Sequence, residues 1–306
     1  MLAIAVVAVV LVASLAAAIV LLQDEALSGD TGDGDITIVD DRGKSLYFEE
    51  GPKRIISLGS SFTEIIIALN ESNRLVGLDQ TSFALPGVPN GVKNLGAVGS
   101  ISRESLVDLG PDCVLIWNFP SYANRIADME AEGLTVVALY PKSVQDTLVT
   151  MERIGTMLGS NATGIVDGMQ ARVDAVLEKT ADLTDEERTR VYLELGSKNH
   201  MGKTVNSSTL SHEIITLAGG KNIFADGPSS HFDAEDSEVV DRDPQVIIVE
   251  DSSIHDYSHF VTLYNTTEAV DDNRIYRLEP GTMTTSPRLV EALEQIAYWL
   301  HPELFQ

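Results

Sequence analysis

Two ten-residue stretches with one shared pattern decide the fold: VDLGPDCVLI at 107–116 and VDRDPQVIIV at 240–249. Each stretch is typical of the end of a helix, a turn that contains proline, and a strand of apolar residues. The apolar runs lack the alternation of a strand that is exposed on one face, which indicates strands buried on both faces of a parallel sheet. The repetition predicts two lobes of similar build.

Short apolar runs alternate with helical patterns along the rest of the chain. Strands are predicted at 54–58, 75–78, 113–117, 135–140, 191–195, 245–250 and 275–278. Helices are predicted between them, for example at 61–69, 122–132, 209–217 and 287–300. This alternation predicts an α/β fold whose central sheets are mostly parallel.

A long helical pattern lies between the two halves. Apolar residues recur there at helical spacing, at Ile165, Met169, Val173, Val176 and Leu177. We predict that this helix, about 30 Å long at 1.5 Å per residue, joins the two lobes as a rigid strut. A helix packed inside one lobe would show the same periodicity.

The N-terminus has the composition of a membrane segment. Residues 1–23 carry no charge, and from Leu2 to Leu22 every residue except Ser14 is apolar. A helix needs ~20 such residues to cross a membrane. Cleaved signal peptides usually have a shorter apolar region after a basic start. We therefore predict an uncleaved transmembrane anchor, with a cleaved signal as the alternative.

These patterns give the expected organisation of the chain. The acidic, glycine-rich residues that follow the anchor are typical of a flexible linker. The expected parts are the anchor or signal at 1–23, the linker at 24–35, an N-terminal α/β lobe at 36–142, connecting helices that include the strut at 143–185, and a C-terminal α/β lobe at 186–306.

Composition narrows the class of partner. The chain has 306 residues and a formal net charge of −25, so nucleic acid, which is bound through Lys and Arg, is excluded as a partner. The single cysteine, Cys113, lies in an apolar run, where we expect it to be buried. Four Asn-x-Ser/Thr triplets favour an exported domain and mark it as a possible glycoprotein, at Asn70, Asn161, Asn206 and Asn265.

A series of motifs resembles the substrate-binding proteins of ABC importers for iron complexes, haem and cobalamin. In chain order they are ITIV at 36–39, DRG at 41–43, GPKRIISL at 51–58, SSFTEI at 60–65, RLVG at 74–77, LGPD at 109–112, LAGGKNIF at 217–224, SPR at 286–288 and HPELF at 301–305. The resemblance implies two α/β lobes joined by one rigid helix, with the ligand held in the cleft between them. It also implies a monomer that works with an ABC permease and its ATPase, here with the binding domain on the outer side of the cell membrane.

The resemblance implies that one acidic residue on each lobe docks on the permease. In the first lobe that position matches Glu104, seven residues before Pro111. The equivalent position of the second lobe is Ser237, which departs from the pattern. Glu238 or Asp236 can replace the missing acid after a shift of one residue, and a solvated surface charge is the alternative for Glu104 and Glu238.

Ligands of α/β folds gather at the carboxyl ends of the strands, and this rule selects the candidate ligand-binding residues. Trp117 and Tyr122 are candidates for stacking on a flat ligand, although Trp117 can equally end a core strand. A basic cluster in the second half can pair with carboxylate or catecholate oxygens. The full set is Ser60, Ser61, Phe62, Trp117, Asn118, Tyr122, Lys198, His200, Lys203, His255 and Thr284.

The placement of histidine bears on the class of ligand. All six histidines lie between His200 and His301, in the second half. A bare metal ion shared by two lobes would need ligands from the first lobe as well. We therefore expect a complexed ligand, an iron(III)–siderophore type chelate. Cobalamin or haem is the alternative, and Val98, where the cobalamin-binding relative has a tryptophan, weighs against cobalamin.

The chain lacks the common motifs of enzymes. It has no G-x-S-x-G nucleophile elbow, no phosphate-binding G-x-x-x-x-G-K-[ST] loop and no H-E-x-x-H zinc helix. We predict a binding protein without catalytic residues, cofactor or resident metal. An exported glycoside hydrolase or a surface structural protein is the alternative from another class.

Overall fold

The computed structural model describes residues 35–196, 201–250 and 257–306. The chain divides into two compact units, and each is described by itself. Unit 1 runs to Tyr140 and includes Arg153–Asn161, and unit 2 comprises Pro141–Glu152 and Ala162–Gln306. The predicted membrane segment at 1–23 and nearly all of the linker lie outside the described residues. No helix in the described ranges is long and apolar enough to cross a membrane.

Unit 1 is built on a five-stranded parallel sheet with the strand order β5-β4-β3-β6-β7. An antiparallel hairpin of β1 and β2 precedes it. The strands are β1 Ile36–Val39, β2 Ser45–Phe48, β3 Ile55–Leu58, β4 Leu75–Leu78, β5 Lys93–Asn94, β6 Cys113–Trp117 and β7 Val136–Leu139. The helices are α1 Ser60–Ala68, α2 Gln80–Phe83, α3 Arg103–Val107 and α4 Ala123–Ala131, followed by α5 Val144–Leu158, which the division between the units crosses.

Unit 2 is built on a four-stranded parallel sheet with the strand order β10-β8-β12-β13, and β9 pairs with β11 in a separate antiparallel hairpin. The strands are β8 Thr189–Glu194, β9 Lys203–Val205, β10 Gly220–Asn222, β11 His231–Asp233, β12 Val246–Val249 and β13 Ile275–Arg277. The helices are α6 Thr163–Thr180, α7 Leu210–Leu217, α8 Asp236–Arg242, α9 Ser258–Leu263, α10 Glu268–Asp271 and α11 Leu289–Leu300.

The predicted α/β fold with parallel sheets is confirmed, and each of the seven predicted strands and four predicted helices ends within two residues of its expected bounds. The central strands β3, β6, β8 and β12 are buried on both faces because helices cover them. In unit 1 the apolar side chains of β3, β6 and β7 pack on α3 and α4. In unit 2 an aromatic cluster packs on one face of the sheet, formed by Tyr192, Phe224, Phe260 and Tyr264.

The helix that the sequence predicts as a strut is α6. All of it lies in unit 2, where it packs on α11 and where Arg172 holds Glu294 by a two-pronged ion pair, with Nε–Oε1 at 2.9 Å and Nη2–Oε2 at 2.5 Å. The division between the units instead crosses α5, between Glu152 and Arg153. The joining role of α6 therefore remains a prediction.

The first of the two echoing stretches forms a tight turn between α3 and β6. Gly110 has a positive φ of 50°, and its carbonyl oxygen accepts a hydrogen bond from Arg54 Nε at 3.0 Å. Asp112 then accepts the backbone N–H of Arg54 at 2.8 Å. The turn thus ties the start of β3 to the start of β6.

The second stretch repeats this arrangement between α8 and β12. Asp243, three residues after Val240 just as Gly110 follows Val107, has a positive φ of 43°. Its carbonyl oxygen accepts a hydrogen bond from Arg190 Nε at 2.7 Å. Gln245 accepts the backbone N–H of Arg190 at 3.0 Å. The similarity of the two halves therefore extends from the sequence pattern to the hydrogen bonds that close the turn.

Candidate ligand-binding site

An aromatic cluster lies at the carboxyl edge of the sheet in unit 1. We call Phe62, Trp117, Phe119, Tyr122 and Tyr140 the aromatic wall. Trp117 and Phe119 are stacked with their ring centroids 5.2 Å apart and their planes 1° from parallel. Phe62 packs on Trp117 at 4.7 Å, and Tyr140 and Tyr122 contact Phe119 at 5.2 and 5.7 Å. The five rings thus form one continuous cluster.

The wall passes from the core to the surface. Phe62 is fully buried, Trp117, Phe119 and Tyr122 are half-buried, and Tyr140 is 37% exposed. The indole of Trp117 therefore ends the core and also begins the accessible surface. The structure thus places Trp117 at the end of a core strand with part of its indole accessible, and its stacking on a ligand stays a prediction.

Gly59 lets the wall approach the backbone closely. A Cβ atom at this position would lie 2.6 Å from Trp117 Nε1 and 2.9 Å from Phe62 Cδ2. Gly59 is also the N-cap residue of α1. Because glycine has no side chain, it cannot accept a hydrogen bond from the first N–H groups of the helix through a side-chain oxygen. Among the predicted residues of this loop, Ser60 is half-buried, whereas Ser61 is buried together with Phe62.

Hydrogen bonds from the loop after β1 brace the wall. Asn118, one of the predicted residues, donates from its side-chain amide to the carbonyl oxygen of Asp41 at 3.1 Å. The carboxylate of Asp41 accepts the backbone N–H of Tyr140 and pairs with Arg153 at 2.5 Å. This hydrogen bond ties the segment between Trp117 and Phe119 to the loop after β1. It already uses an N–H donor of the Asn118 side chain.

In unit 2 a buried carboxylate ends β8. Glu194 accepts hydrogen bonds from the hydroxyl of Tyr192 at 2.9 Å, from Gly196 N at 2.6 Å and from Gly202 N at 2.9 Å. Burial raises the pKa of Glu194, and these hydrogen bonds counter part of the rise. The carboxylate thus holds both ends of the segment that connects β8 with β9.

A second carboxylate follows β12. Glu250 accepts the backbone N–H of Gly281 at 2.9 Å, and the N–H groups of Thr282 and Met283 also point to it. Burial raises the pKa of Glu250. The predicted Thr284 belongs to the same turn, where its hydroxyl donates to Gly281 O at 2.9 Å.

Of the remaining predicted ligand-binding residues, only Lys203 lies within the described part of the chain. Lys203 is exposed at the start of β9. Lys198, His200 and His255 lie outside the described residues. Across the ranges that the structure describes, no three His, Cys, Asp or Glu side chains are grouped so as to hold a metal ion. Cys113 is buried in β6, where burial raises the pKa of its thiol.

The candidate docking acids are both exposed at the start of a helix. Glu104 is the second residue of α3, whose N-cap is Ser102. Ser237 is the second residue of α8, and Glu238 is the third. Glu104 and Ser237 therefore occupy the same position in their helices, as their equal distance from the following proline predicts. Glu238 lies one residue further along α8.

The predicted set of ligand-binding residues lacks Phe119 and Tyr140, together with Glu194 and Glu250. Phe119 lies two residues after β6, and Tyr140 directly follows β7. The rule that selected Trp117 therefore also applies to them. The two glutamates carried no such signal, because the chain holds 46 acidic residues and their burial is visible only in the fold.

Comparison with known proteins places these features in a family. The family model described as "Periplasmic binding protein" matches residues 55–281. An uncharacterized ABC transporter substrate-binding lipoprotein of Bacillus subtilis, YvrC, is 26% identical over 279 residues, covering 89% of this chain and 87% of that protein. A vitamin B12-binding protein of Vibrio campbellii is 23% identical over 237 residues, covering 76% and 83%.

Solved structures share the fold. The crystal structure of Helicobacter pylori CeuE with Ni(II) bound superimposes with a TM-score of 0.75 at 19% identity, covering 88% of this chain and 90% of that one. The parallel sheets and the order of helices and strands in this chain are consistent with the match to the family model. The chain therefore belongs to the periplasmic binding protein family, as a substrate-binding protein of the ABC-transporter type.

Proposed function

We propose that this protein captures a complexed ligand, an iron(III)–siderophore type chelate, outside the cell and delivers it to an ABC permease and its ATPase. The observation that carries the proposal is the half-buried stack of Trp117 and Phe119, continued by the exposed Tyr140. Flat aromatic faces at the carboxyl edge of a parallel sheet suit a bulky ligand with an apolar, planar rim.

A surface of aromatic rings can bind a metal ion that a chelator already coordinates. The chelator fills the coordination sphere of the ion, so the protein needs contacts with the outside of the complex and no metal ligands of its own. Stacking on aromatic rings and hydrogen bonds to acidic oxygens are the contacts that recognise such an outside. Trp117, Phe119 and Tyr122 supply the rings, and we propose that Lys198, His200 and Lys203 supply positive charge.

Cobalamin is a second candidate. A vitamin B12-binding protein is among the relatives, at 23% identity. The corrin ring of cobalamin is a large planar surface that the aromatic wall also suits. Val98, which is half-buried beside the apolar core of unit 1, offers no aromatic ring.

We propose that the N-terminal segment at 1–23 keeps the binding domain at the outer face of the membrane, and that the protein works as a monomer. In this arrangement the exposed carboxylates of Glu104 and Glu238 meet the permease. Both stand at helix starts, where a negative charge is also favourable for the helix itself.

A thermal-shift screen of the full chain tests the proposed function. The panel consists of ferric siderophores, haem, cobalamin and molybdate. A ligand present at 100 times its dissociation constant stabilises a protein by about 2.7 kcal/mol, which raises Tm by several degrees. We expect such a rise with a ferric siderophore. An unchanged Tm across the panel, combined with glycosidase activity of the purified protein, would exclude the proposed function.

A further inference from the structure

Arg277 ends the last strand of unit 2 at the carboxyl edge of the sheet. It lies level with Val249 of β12, which in turn lies level with Glu194 of β8. Side chains in one such row of a parallel sheet point to the same face. Arg277 therefore projects on the side of the aromatic cluster around Tyr192, at the edge where ligands of α/β folds bind.

Within the described residues, the guanidinium of Arg277 has no hydrogen-bond or ion-pair partner. Its Nε is sealed from solvent and has no hydrogen-bond acceptor, and no hydrogen bond or ion pair among the described residues involves its side chain. The chain holds 46 acidic residues against 21 basic ones, so an arginine without a carboxylate is unexpected. Leaving a buried donor unsatisfied destabilises the protein, which favours a functional reason for its retention.

Two carboxylates near this edge, those of Glu194 and Glu250, already accept hydrogen bonds from other groups. Glu194 accepts three hydrogen bonds, from Tyr192 and from two backbone N–H groups. Glu250 accepts from Gly281 and its neighbours in the loop after β13. Neither of these two carboxylates forms a hydrogen bond or an ion pair with Arg277.

The hydroxyl of Tyr257 shares the surroundings of Arg277. Tyr257 packs on Phe260, with ring centroids 6.1 Å apart, and belongs to the same side of the sheet. Burial raises the pKa of Tyr257, and the positive charge of Arg277 counters part of that rise. The positive charge of Arg277 therefore acts on the phenol of Tyr257, which packs on the same side of the sheet.

We propose that Arg277, assisted by the hydroxyl of Tyr257, is an anion-binding group of unit 2 that receives a carboxylate or catecholate oxygen of the captured ligand. A guanidinium offers its donors in a planar fork that matches two acidic oxygens, and such charge-assisted bonds are about twice as strong as neutral ones. The inference rests on the proposed function, because a captured ligand must bring the anion. It narrows the ligand class to chelates with acidic oxygens on their surface.

Binding measurements on the full chain test this site. The probes are a ferric tris-catecholate, haemin with its two carboxylates, and a ferric trihydroxamate, which lacks free acidic oxygens. Dissociation constants are obtained from quenching of tryptophan fluorescence. We expect Arg277→Gln to weaken binding of the tighter anionic probe roughly 10- to 100-fold and Tyr257→Phe to weaken it less. Lys221→Gln removes an exposed charge at the other half of the sheet and is the control, with no change expected.

The outcomes separate this inference from the proposed function. If wild type binds an anionic probe and Arg277→Gln binds it equally well, the anion site is wrong and the capture of a chelate stands. The site is also wrong if wild type prefers the trihydroxamate. If wild type binds none of the probes, both proposals fail. Arg277→Gln should keep or raise Tm, since it removes an unsatisfied donor, and a fall of many degrees would assign Arg277 a structural role instead.

Discussion

Trp117 joins the interior of unit 1 to its surface through a single side chain. Its indole packs on the buried ring of Phe62 and stacks on the half-buried ring of Phe119. Gly59 is required beneath it, because a Cβ there would lie 2.6 Å from the indole nitrogen. A ligand that covers the indole would therefore meet a ring that is already packed on both Phe62 and Phe119, and such preorganisation favours affinity.

We predict that Trp117→Ala weakens ligand binding by about 1–3 kcal/mol, the usual scale for a stacking aromatic at the centre of a binding site. Isothermal titration with the ligand from the thermal-shift screen measures the change. Trp299→Ala is the matched control, since Trp299 stacks on Tyr276 in unit 2 at 4.9 Å. It should lower stability without changing affinity. Equal dissociation constants for Trp117→Ala and wild type would assign Trp117 to the core.

The residues of the candidate site differ in how far the sequence reveals them. Trp117 ends a recognisable buried strand and Tyr122 follows it, so position alone identifies them. Arg277 also lies in a predicted strand, at 275–278, yet nothing in the sequence distinguishes a paired arginine from an unpaired one. Whether an arginine is paired depends on which carboxylates the fold brings close to it. Glu194 and Glu250 instead accept hydrogen bonds from backbone N–H groups, and these contacts exist only in the folded chain.

At the scale of elements, the turn between α3 and β6 depends on Gly110. A residue with a side chain loses roughly 1 kcal/mol or more in the left-handed region that Gly110 occupies at φ 50°. We predict that Gly110→Ala lowers the free energy of unfolding by about 1 kcal/mol, measured by urea denaturation. Gly99→Ala is the control, because Gly99 has open space around its Cβ position and no positive φ. A loss at Gly99 as large as at Gly110 would contradict this role of backbone conformation.

Asp243 fills the same place in unit 2 and tolerates it for a reason that Gly110 lacks. Its carboxylate accepts the backbone N–H of Glu268 at 3.0 Å and pairs with Arg190 at 3.1 Å. Aspartate is also among the residues that adopt a left-handed conformation most readily. The two turns therefore reach one geometry by different chemistry, which explains why the repeat is clear in its apolar strands and weak at this position.

The elements that the sequence predicts are those with a continuous apolar run. Strands β3, β6 and β12 are buried on both faces and therefore need uninterrupted apolar residues. Strand β5 consists of Lys93 and Asn94, both exposed, so it carries no such signal. The hairpin of β9 and β11 has three residues per strand, too few for a continuous apolar run, so the sequence does not reveal it. Short strands at the edges depend on neighbours that only the fold provides.

At the scale of the whole molecule, membership of the family implies a permease as partner. We propose that the two corresponding helices α3 and α8 carry the positions that meet it. Glu104 is exposed on α3, and no hydrogen bond or ion pair of its carboxylate is found within the described part of the chain. On α8 the corresponding residue is Ser237, with Asp236 and Glu238 beside it. Asp236 accepts a hydrogen bond from the hydroxyl of Tyr264 at 3.0 Å, so Glu238 is the freer of the two acids to meet a permease.

We predict that Glu104→Arg abolishes uptake by cells that carry the permease and its ATPase while the purified protein keeps its affinity for the ligand. Reversal of a charge at a contact places like charges together and costs several kcal/mol of association. Glu49→Arg is the control, an exposed charge reversal of the same size at the end of β2. Normal uptake with Glu104→Arg would remove α3 from the docking surface. Glu238→Arg then tests the second unit: lost uptake would show that Glu238 replaces the acid missing at Ser237, and normal uptake would leave docking to unit 1.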